Sequence, residues 1–273
     1  MTKPPAPSPD LAAELERFAV ALATGAADVI KAHGRGAVEV SVKSTATDLV
    51  TEVDRRTERW LTDRITATRP DDAILGEENG GRAGTSGVRW LLDPIDGTVN
   101  FVLGLPQYAV SVAAELDDSV VAGAVVNPVS GELFHARLGG GAWLGEERLT
   151  GPRVVPLDRA VIGTGFSYAA ASRARQAGLV AELLPQIADI RRLGAASLDL
   201  CAVAAGRLDG YFEAGLNPWD YSAGALVAAE AGCVVSGLRG RPASPQLTAV
   251  AGASVAAEFF ALLERLGADG VRG

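Results

Sequence analysis

The sequence predicts an α+β protein in which helices cover mixed β-sheets, and three observations lead there. Two short apolar runs, Ala73-Ile74-Leu75 and Trp90-Leu91-Leu92, read as buried strands that each run into carboxylates. The stretch 108–144 divides into alternating apolar segments separated by turn residues, the pattern of an antiparallel meander. Helix-like and strand-like segments alternate on both sides of that meander. With 273 residues, 48% of them apolar and 21% charged, the chain has ordinary globular composition and enough length for a large core.

Residues 1–10 are Pro-rich and polar and are expected to form a loose tail. Residues 11–273 are expected to form one domain, with a first half over about 11–150 and a second over about 151–273. Leu11, Leu15, Phe18, Leu22, Ala26 and Val29 recur at helical spacing, so 11–32 is expected to be an amphipathic helix closed by Gly34. Residues 38–42 alternate like a strand, and 43–54 form a loop into a second helix that ends near Pro70. Asp54 falls in or just before the first turn of that helix, where the dipole alone favours a carboxylate. The glycine-rich stretch 80–87 reads as a flexible surface loop.

The densest chemistry lies in Trp90-Leu91-Leu92-Asp93-Pro94-Ile95-Asp96-Gly97-Thr98-Val99-Asn100-Phe101. Pro94 cannot donate to a sheet ladder, so the strand is expected to stop at Asp93. Asp93 and Asp96 then share a turn, Gly97 lets the backbone approach a ligand, and Thr98 and Asn100 suit the start of a helix. Carboxylates that hold a hard cation, beside free N–H groups that hold an anion, describe a site for a metal-bound phosphate. Glu77, at the end of the 73–75 strand, would face the same point if the two strands are neighbours.

Beyond the meander, 161–164 reads as a strand, 170–184 and 196–205 as helices, and 208–212 as a strand. Gly139-Gly140-Gly141 lacks the following Lys-Ser or Lys-Thr of a phosphate loop and reads as a hairpin. Asp220 opens an apolar helix over 221–231, again a position that the helix dipole favours. Strands at 234–235 and 249–250 and a helix at 254–266 close the chain.

Composition narrows the function. A net charge of −8 argues against binding nucleic acid through its phosphates. Neither His33 nor His135 lies near a nucleophile in sequence, which disfavours a Ser-His-Asp mechanism. Cys201 and Cys233 read as buried reduced thiols, and no His or Cys cluster suits zinc or iron. No apolar run reaches membrane-spanning length and no signal peptide is visible, so a cytoplasmic location is expected. Oxygen chemistry remains. Carboxylates meeting in one pocket repel by roughly 4 kcal/mol per pair at about 4 Å and an effective dielectric of about 20. Either their pKa values rise or divalent cations neutralise them; two Mg²⁺ ions could clamp a phosphate and activate water.

Gly76-Glu77-Glu78, Asp93-Pro94-Ile95-Asp96-Gly97-Thr98 and Trp219-Asp220 with Ala223-Gly224 resemble the signature motifs of the inositol monophosphatases. Thr47-Asp48-Leu49-Val50-Thr51 with Asp54 resembles the N-terminal motif of the same family. Arg191-Arg192-Leu193-Gly194 and Gly206-Arg207-Leu208-Asp209-Gly210 look most like its bacterial inositol-1-monophosphatase branch, and the resemblance runs from about residue 11 to 266. It implies a layered α-β-α-β-α sandwich, two or three Mg²⁺ ions, inhibition by Li⁺, a small phosphorylated polyol or sugar as substrate, and a homodimer.

The resemblance also implies roles. Glu77, Asp93, Asp96, Asp220 and the Ile95 carbonyl would bind metal. Glu77 and Thr98 would orient the attacking water, with Asp54 supporting Thr98. Gly97 and Thr98 would offer N–H groups to the phosphate, and Asp96, Gly194, Ala195, Ala196, Glu213, Asp220 and Arg191 would line the polyol pocket. Glu213 also reads plainly as a surface carboxylate at a strand end. Many members have a second Thr at the position of Val99, which removes a hydroxyl here but no metal ligand. Histidinol phosphate, fructose 1,6-bisphosphate and 3′-phosphoadenosine 5′-phosphate are rival substrates within the fold, and a protein-binding regulator is the rival of another class.

Overall fold

Ser8-Pro9-Asp10 is a helix start rather than tail. The Ser8 hydroxyl accepts the Leu11 N–H at 3.2 Å, and Pro9, which lacks an N–H, takes the first helical position. Helix α1 therefore spans Pro9–His33, two residues earlier than the apolar spacing suggests. The computed structural model describes residues 8–33, 40–42 and 49–270; the expected tail over 1–7, residues 38–39 of the first expected strand, and Thr47 and Asp48 of the N-terminal motif lie outside them.

The first half continues with β1 (Val40–Val42), β2 (Leu49–Thr51), α2 (Glu52–Thr68), β3 (Ala73–Gly76), β4 (Gly81–Arg82), β5 (Val88–Asp96) and α3 (Thr98–Leu103). The meander follows as β6 (Ala109–Leu116), β7 (Ser119–Val126), β8 (Leu133–Arg137), β9 (Gly141–Leu144) and β10 (Glu147–Arg148). The second half holds β11 (Val161–Thr164), α4 (Ala170–Leu183), β12 (Asp189–Arg191), α5 (Ala196–Ala204), β13 (Gly210–Glu213), α6 (Pro218–Glu230), β14 (Val234–Ser236), β15 (Thr248–Ala251) and α7 (Ala256–Arg265). The short strands β2, β4, β10 and β12 escape sequence reasoning because two or three residues carry no period.

Among the described residues, an eight-stranded sheet has the order β10-β9-β8-β7-β6-β5-β3-β4, and a five-stranded sheet the order β12-β11-β13-β15-β14. Both are mixed: β3 with β5, and β11 with β12 and β13, are parallel, while the remaining pairs are antiparallel. Three cores stack them into layers. Helices α1 and α2 cover one face of the large sheet through Leu15, Leu22, Leu61 and Ile65 against Trp90, Leu92 and Val112. Helices α5 and α6 fill the space between the sheets, where Leu200 and Val227 join Leu91, Val125, Tyr211 and Val250 in one core. Helices α4 and α7 close the far side with Leu183 and Phe259 against Ile162 and Phe212. The expected α-β-α-β-α sandwich is the observed one, and its strands alternate as period two demands: Leu91 faces one core, Trp90 and Leu92 the other.

Two local expectations are corrected. Strand β5 does not stop at Asp93 but runs to Asp96, with its register shifting between Asp93↔Ser111 and Asp96↔Ala109. Pro94 sits in this bulge, where no ladder donor is required of it. The stretch 80–87 is not loose either. Gly81 and Arg82 pair with β3, the Arg82 guanidinium reaches the carbonyls of Pro70 and Asp72 at 2.7 and 2.8 Å, and the Ser86 hydroxyl reaches Asp72 at 2.6 Å.

Candidate active site

Parallel pairing of β3 and β5 is what brings Glu77 to the aspartates. Gly76 lies opposite Leu92, and the Glu77 N–H donates to the Leu92 carbonyl at 3.2 Å. Both strands therefore end at the same level, with Glu77 one residue past β3 and Asp93 at the bulge of β5. Within the bulge the Ile95 N–H donates to Asp93 Oδ1 at 3.0 Å, and the Ile95 carbonyl accepts the Thr98 hydroxyl at 3.0 Å.

Gly97 turns the chain from β5 into α3 with φ of 91°, in the left-handed region. A Cβ there would lie 3.0 Å from the Gly194 carbonyl and 3.1 Å from that of Gln107, so close approach also demands glycine. Thr98 follows, held from below by Asp54, whose Oδ1 lies 3.1 Å from the Thr98 hydroxyl. The other Asp54 oxygen accepts the Thr51 N–H at 2.9 Å and the Thr51 hydroxyl, completing a capping box on α2. One buried carboxylate thus caps a helix start and hydrogen-bonds Thr98.

Asp96 reaches the second half of the chain. It accepts the N–H groups of Ala196 and Ser197 at 3.2 and 2.7 Å and the Ser197 hydroxyl at 2.5 Å. Helix α5 has Ala195 at its cap position and no side-chain cap of its own, so Asp96 supplies one from across the interface. Asp220 arrives on the first turn of α6, where its carboxylate accepts the Asn217 N–H at 2.7 Å in another capping box. Ser111 on β6 ties this helix start to the large sheet by donating to the Trp219 carbonyl at 3.1 Å.

These groups open into one cavity of about 480 Å³. Glu77, Asp93, Ile95, Asp96, Gly97, Thr98, Gly194, Ala196, Glu213 and Asp220 all line it. Asp54 and Ala195 lie buried behind that wall. Arg191 is elsewhere. It sits on β12 two residues from Asp189, so the two side chains share a face and pair at 2.5 Å, and Arg191 lines a separate cavity of about 300 Å³. The guanidinium at the active cavity is that of Arg192. Ser197 went unmarked in sequence, while Thr51 and Arg192 stood there only inside family-like motifs with no role of their own; the capping chemistry of Thr51 three residues before Asp54 was the one signal that could have marked it.

The electrostatics are those of a buried acidic cluster. Burial and the charges of Glu77, Asp96 and Asp220 hold Asp93 well above the usual carboxylate range. Burial raises Asp220 in the same way, with Glu77 and Asp96 adding to it. Asp96 is pushed up to about 6 by burial, against the pull of its bonds from Ser197 and Ala196. Burial lifts Asp54 to about 6 and Glu213 to about 7, the latter despite the Tyr211 hydroxyl and Arg192. Every donor facing the cluster is hard oxygen, and neither histidine nor cysteine lines the cavity. Among the described residues no three such side chains are arranged to hold an ion by themselves. That donor set fits Mg²⁺, which takes one or two carboxylates and completes its octahedron with carbonyl, water and phosphate oxygens.

A family model described as the inositol monophosphatase family matches residues 11–267. The chain belongs to that family. Inositol-1-monophosphatase of Mycobacterium leprae (strain TN) is 50% identical over 245 residues, which cover 86% of this chain and 84% of the relative. The solved structure of Mycobacterium tuberculosis SuhB superposes with a TM-score of 0.81 at 42% identity, covering 94% of this chain and 98% of that one. Nus factor SuhB of Escherichia coli (strain K12) is 43% identical over 206 residues, 75% of this chain and 77% of the relative. Membership in the inositol monophosphatase family supports a phosphatase. No helix among the described residues is long and apolar enough to cross a membrane.

Proposed function

We propose that this phosphatase hydrolyses inositol 1-phosphate to inositol and phosphate with Mg²⁺ bound by Glu77, Asp93, Asp96, Asp220 and the Ile95 carbonyl. The observation that carries the reading is the buried cluster itself: Asp93, Asp96 and Asp220, each lifted by burial and by neighbouring carboxylates, open on a single cavity. A cluster of that kind costs stability in its charged form, and bound cations offset that cost. Bound Mg²⁺ supplies charge neutralisation for the ester and lowers the pKa of water.

The chain's own residues do the rest. The Thr98 hydroxyl has one proton and two acceptors, Asp54 Oδ1 and the Ile95 carbonyl. Donating to either leaves an oxygen lone pair that can accept from a water beside Glu77 and orient it on phosphorus. The N–H groups of Gly97 and Thr98 are assigned to the phosphate oxygens. Arg192 and Glu213 offer a donor set and an acceptor to the hydroxyls of the polyol, and Asp96 is shared between metal and polyol.

Phosphate release from inositol 1-phosphate, histidinol phosphate, fructose 1,6-bisphosphate and 3′-phosphoadenosine 5′-phosphate, measured with Mg²⁺, with chelator and with Li⁺, tests this. Turnover of inositol 1-phosphate that needs Mg²⁺ and falls with Li⁺ is expected. Faster turnover of another ester reassigns the substrate, and turnover undiminished by chelator refutes the metal. The similarity to a Nus factor raises a protein-binding role as a second reading. The complete carboxylate set favours catalysis over it, and an inert protein in this panel would reverse that order. A homodimer, the state the family resemblance implies, is checked by light scattering.

A further inference from the structure

We propose that Glu58 is a positioning residue that sets the placement of Glu77, a role resting on the metal site above. Glu58 lies on α2 and is 1% exposed. Its carboxylate accepts the N–H of Glu78 at 2.8 Å, the N–H of Asn79 at 2.7 Å and the Asn79 side-chain amide at 3.0 Å. The Gly76 N–H donates to the Gly80 carbonyl at 3.0 Å and that of Glu77 to Leu92. Every amide from 76 to 79 is thereby accounted for, and Glu58 holds the two that follow Glu77.

Gly76 points to the same contact independently. A Cβ at that position would lie 2.4 to 2.7 Å from the three atoms of the Glu58 carboxyl group. The glycine is the condition for the carboxylate to slide under the turn.

Asp54 and Glu58 are four residues apart on α2, one above the other on a single face. Asp54 grips Thr98 and Glu58 grips the turn that carries Glu77. One rigid helix therefore fixes both groups that are to orient the water.

The test uses the full-length protein and Glu58→Gln, which keeps the shape but turns an amide NH₂ toward N–H donors. Three readouts apply: amide hydrogen exchange at Glu78 and Asn79 without metal, Mg²⁺ affinity by calorimetry without substrate, and kcat against KM. Expected are faster exchange at both amides, Mg²⁺ affinity and kcat lowered by about 10- to 100-fold, and KM within about threefold. Ile65→Val, in the fully buried core of the same helix, is the control for a general loss of stability. Unchanged exchange and affinity in Glu58→Gln overturn the proposal, as does an equal loss in Ile65→Val at matched melting temperature. Should Glu58→Gln not fold, Asn79→Ala, which removes one donor from an exposed residue, takes its place. It is expected to speed exchange at Asn79 and weaken Mg²⁺ by a few-fold, and no change in either overturns the role. If the wild type hydrolyses none of the esters, the proposed function fails while the amide exchange still decides the role of Glu58.

Discussion

Replacing Asp93 by Asn is expected to stabilise the metal-free protein while abolishing its activity. The amide matches the carboxyl in size and keeps an Oδ1 for the Ile95 N–H, so only charge is lost. In the wild type, burial and three neighbouring carboxylates raise Asp93 well above its ordinary value of 3.8. A raised carboxyl binds a proton in the folded state that the unfolded chain has released, so stability is lost as pH rises through that interval. Asp96, in the same cluster but relieved by three hydrogen bonds, still reaches about 6. The Asp93 carboxyl, raised by burial and then by Glu77, Asp96 and Asp220, therefore costs stability at pH 7.5 that a neutral amide does not. Asp93→Asn should melt above the wild type in chelator at pH 7.5, by about 2–4 °C for each kcal/mol of repulsion removed, the gap closing as pH falls toward the ordinary value of 3.8. Mg²⁺ should raise the wild-type melting temperature and barely move that of the variant, whose phosphate release should fall at least about 10³-fold. Differential scanning fluorimetry from pH 4 to 8, with and without Mg²⁺, reads all of this. A variant less stable than the wild type at pH 7.5 in chelator would refute the repulsion argument.

Thr98→Val removes the hydroxyl between Asp54 and Ile95 and should lower kcat by about 10²-fold or more with little change in KM, measured by steady-state kinetics. Gly97→Ala places a Cβ against two carbonyls at a left-handed φ; a loss of about 1–3 kcal/mol by urea denaturation and a raised KM are expected. Far from the cavity, Glu16 on α1 accepts from His135 at 2.8 Å and Arg137 at 2.5 Å on β8. The His135 pKa is raised, foremost by Glu16, and that of Glu16 lies below 4.5 because these two bonds outweigh its burial. The histidine contribution is whole below about 6.5 and fades as pH rises past its folded value, while the glutamate contribution fades as pH falls below 4.5. Glu16→Gln should therefore cost most between about pH 4.5 and 6.5, by about 1–2 kcal/mol, and a flat pH profile of the difference in melting temperature would contradict it.

Local chemistry was legible in the chain because it depends on neighbours in sequence. Helices announced themselves by apolar spacing, Asp54 and Asp220 by their place in first turns, and Gly97 by the close backbone approach it permits, its left-handed φ appearing only in the fold. The family motifs then gathered Glu77, Asp93, Asp96, Thr98 and Asp220, and the fold puts all five on one cavity wall. What stayed hidden depends on pairing between distant segments. Nothing near Pro94 says that β5 continues past it; the bulge exists because Ala109 and Ser111 on the partner strand hold the register on either side. Arg191 and Arg192 look equivalent in sequence, and only the short strand β12 decides that the first pairs with Asp189 while the second faces the cavity. Asp96 reads as a metal ligand in the chain, yet in the fold it also caps α5, a hundred residues away. Residue types and their near spacing determine which groups can do oxygen chemistry. Which of them meet is set by strand register and by helices docked between two sheets, because those contacts join segments that sequence spacing leaves independent.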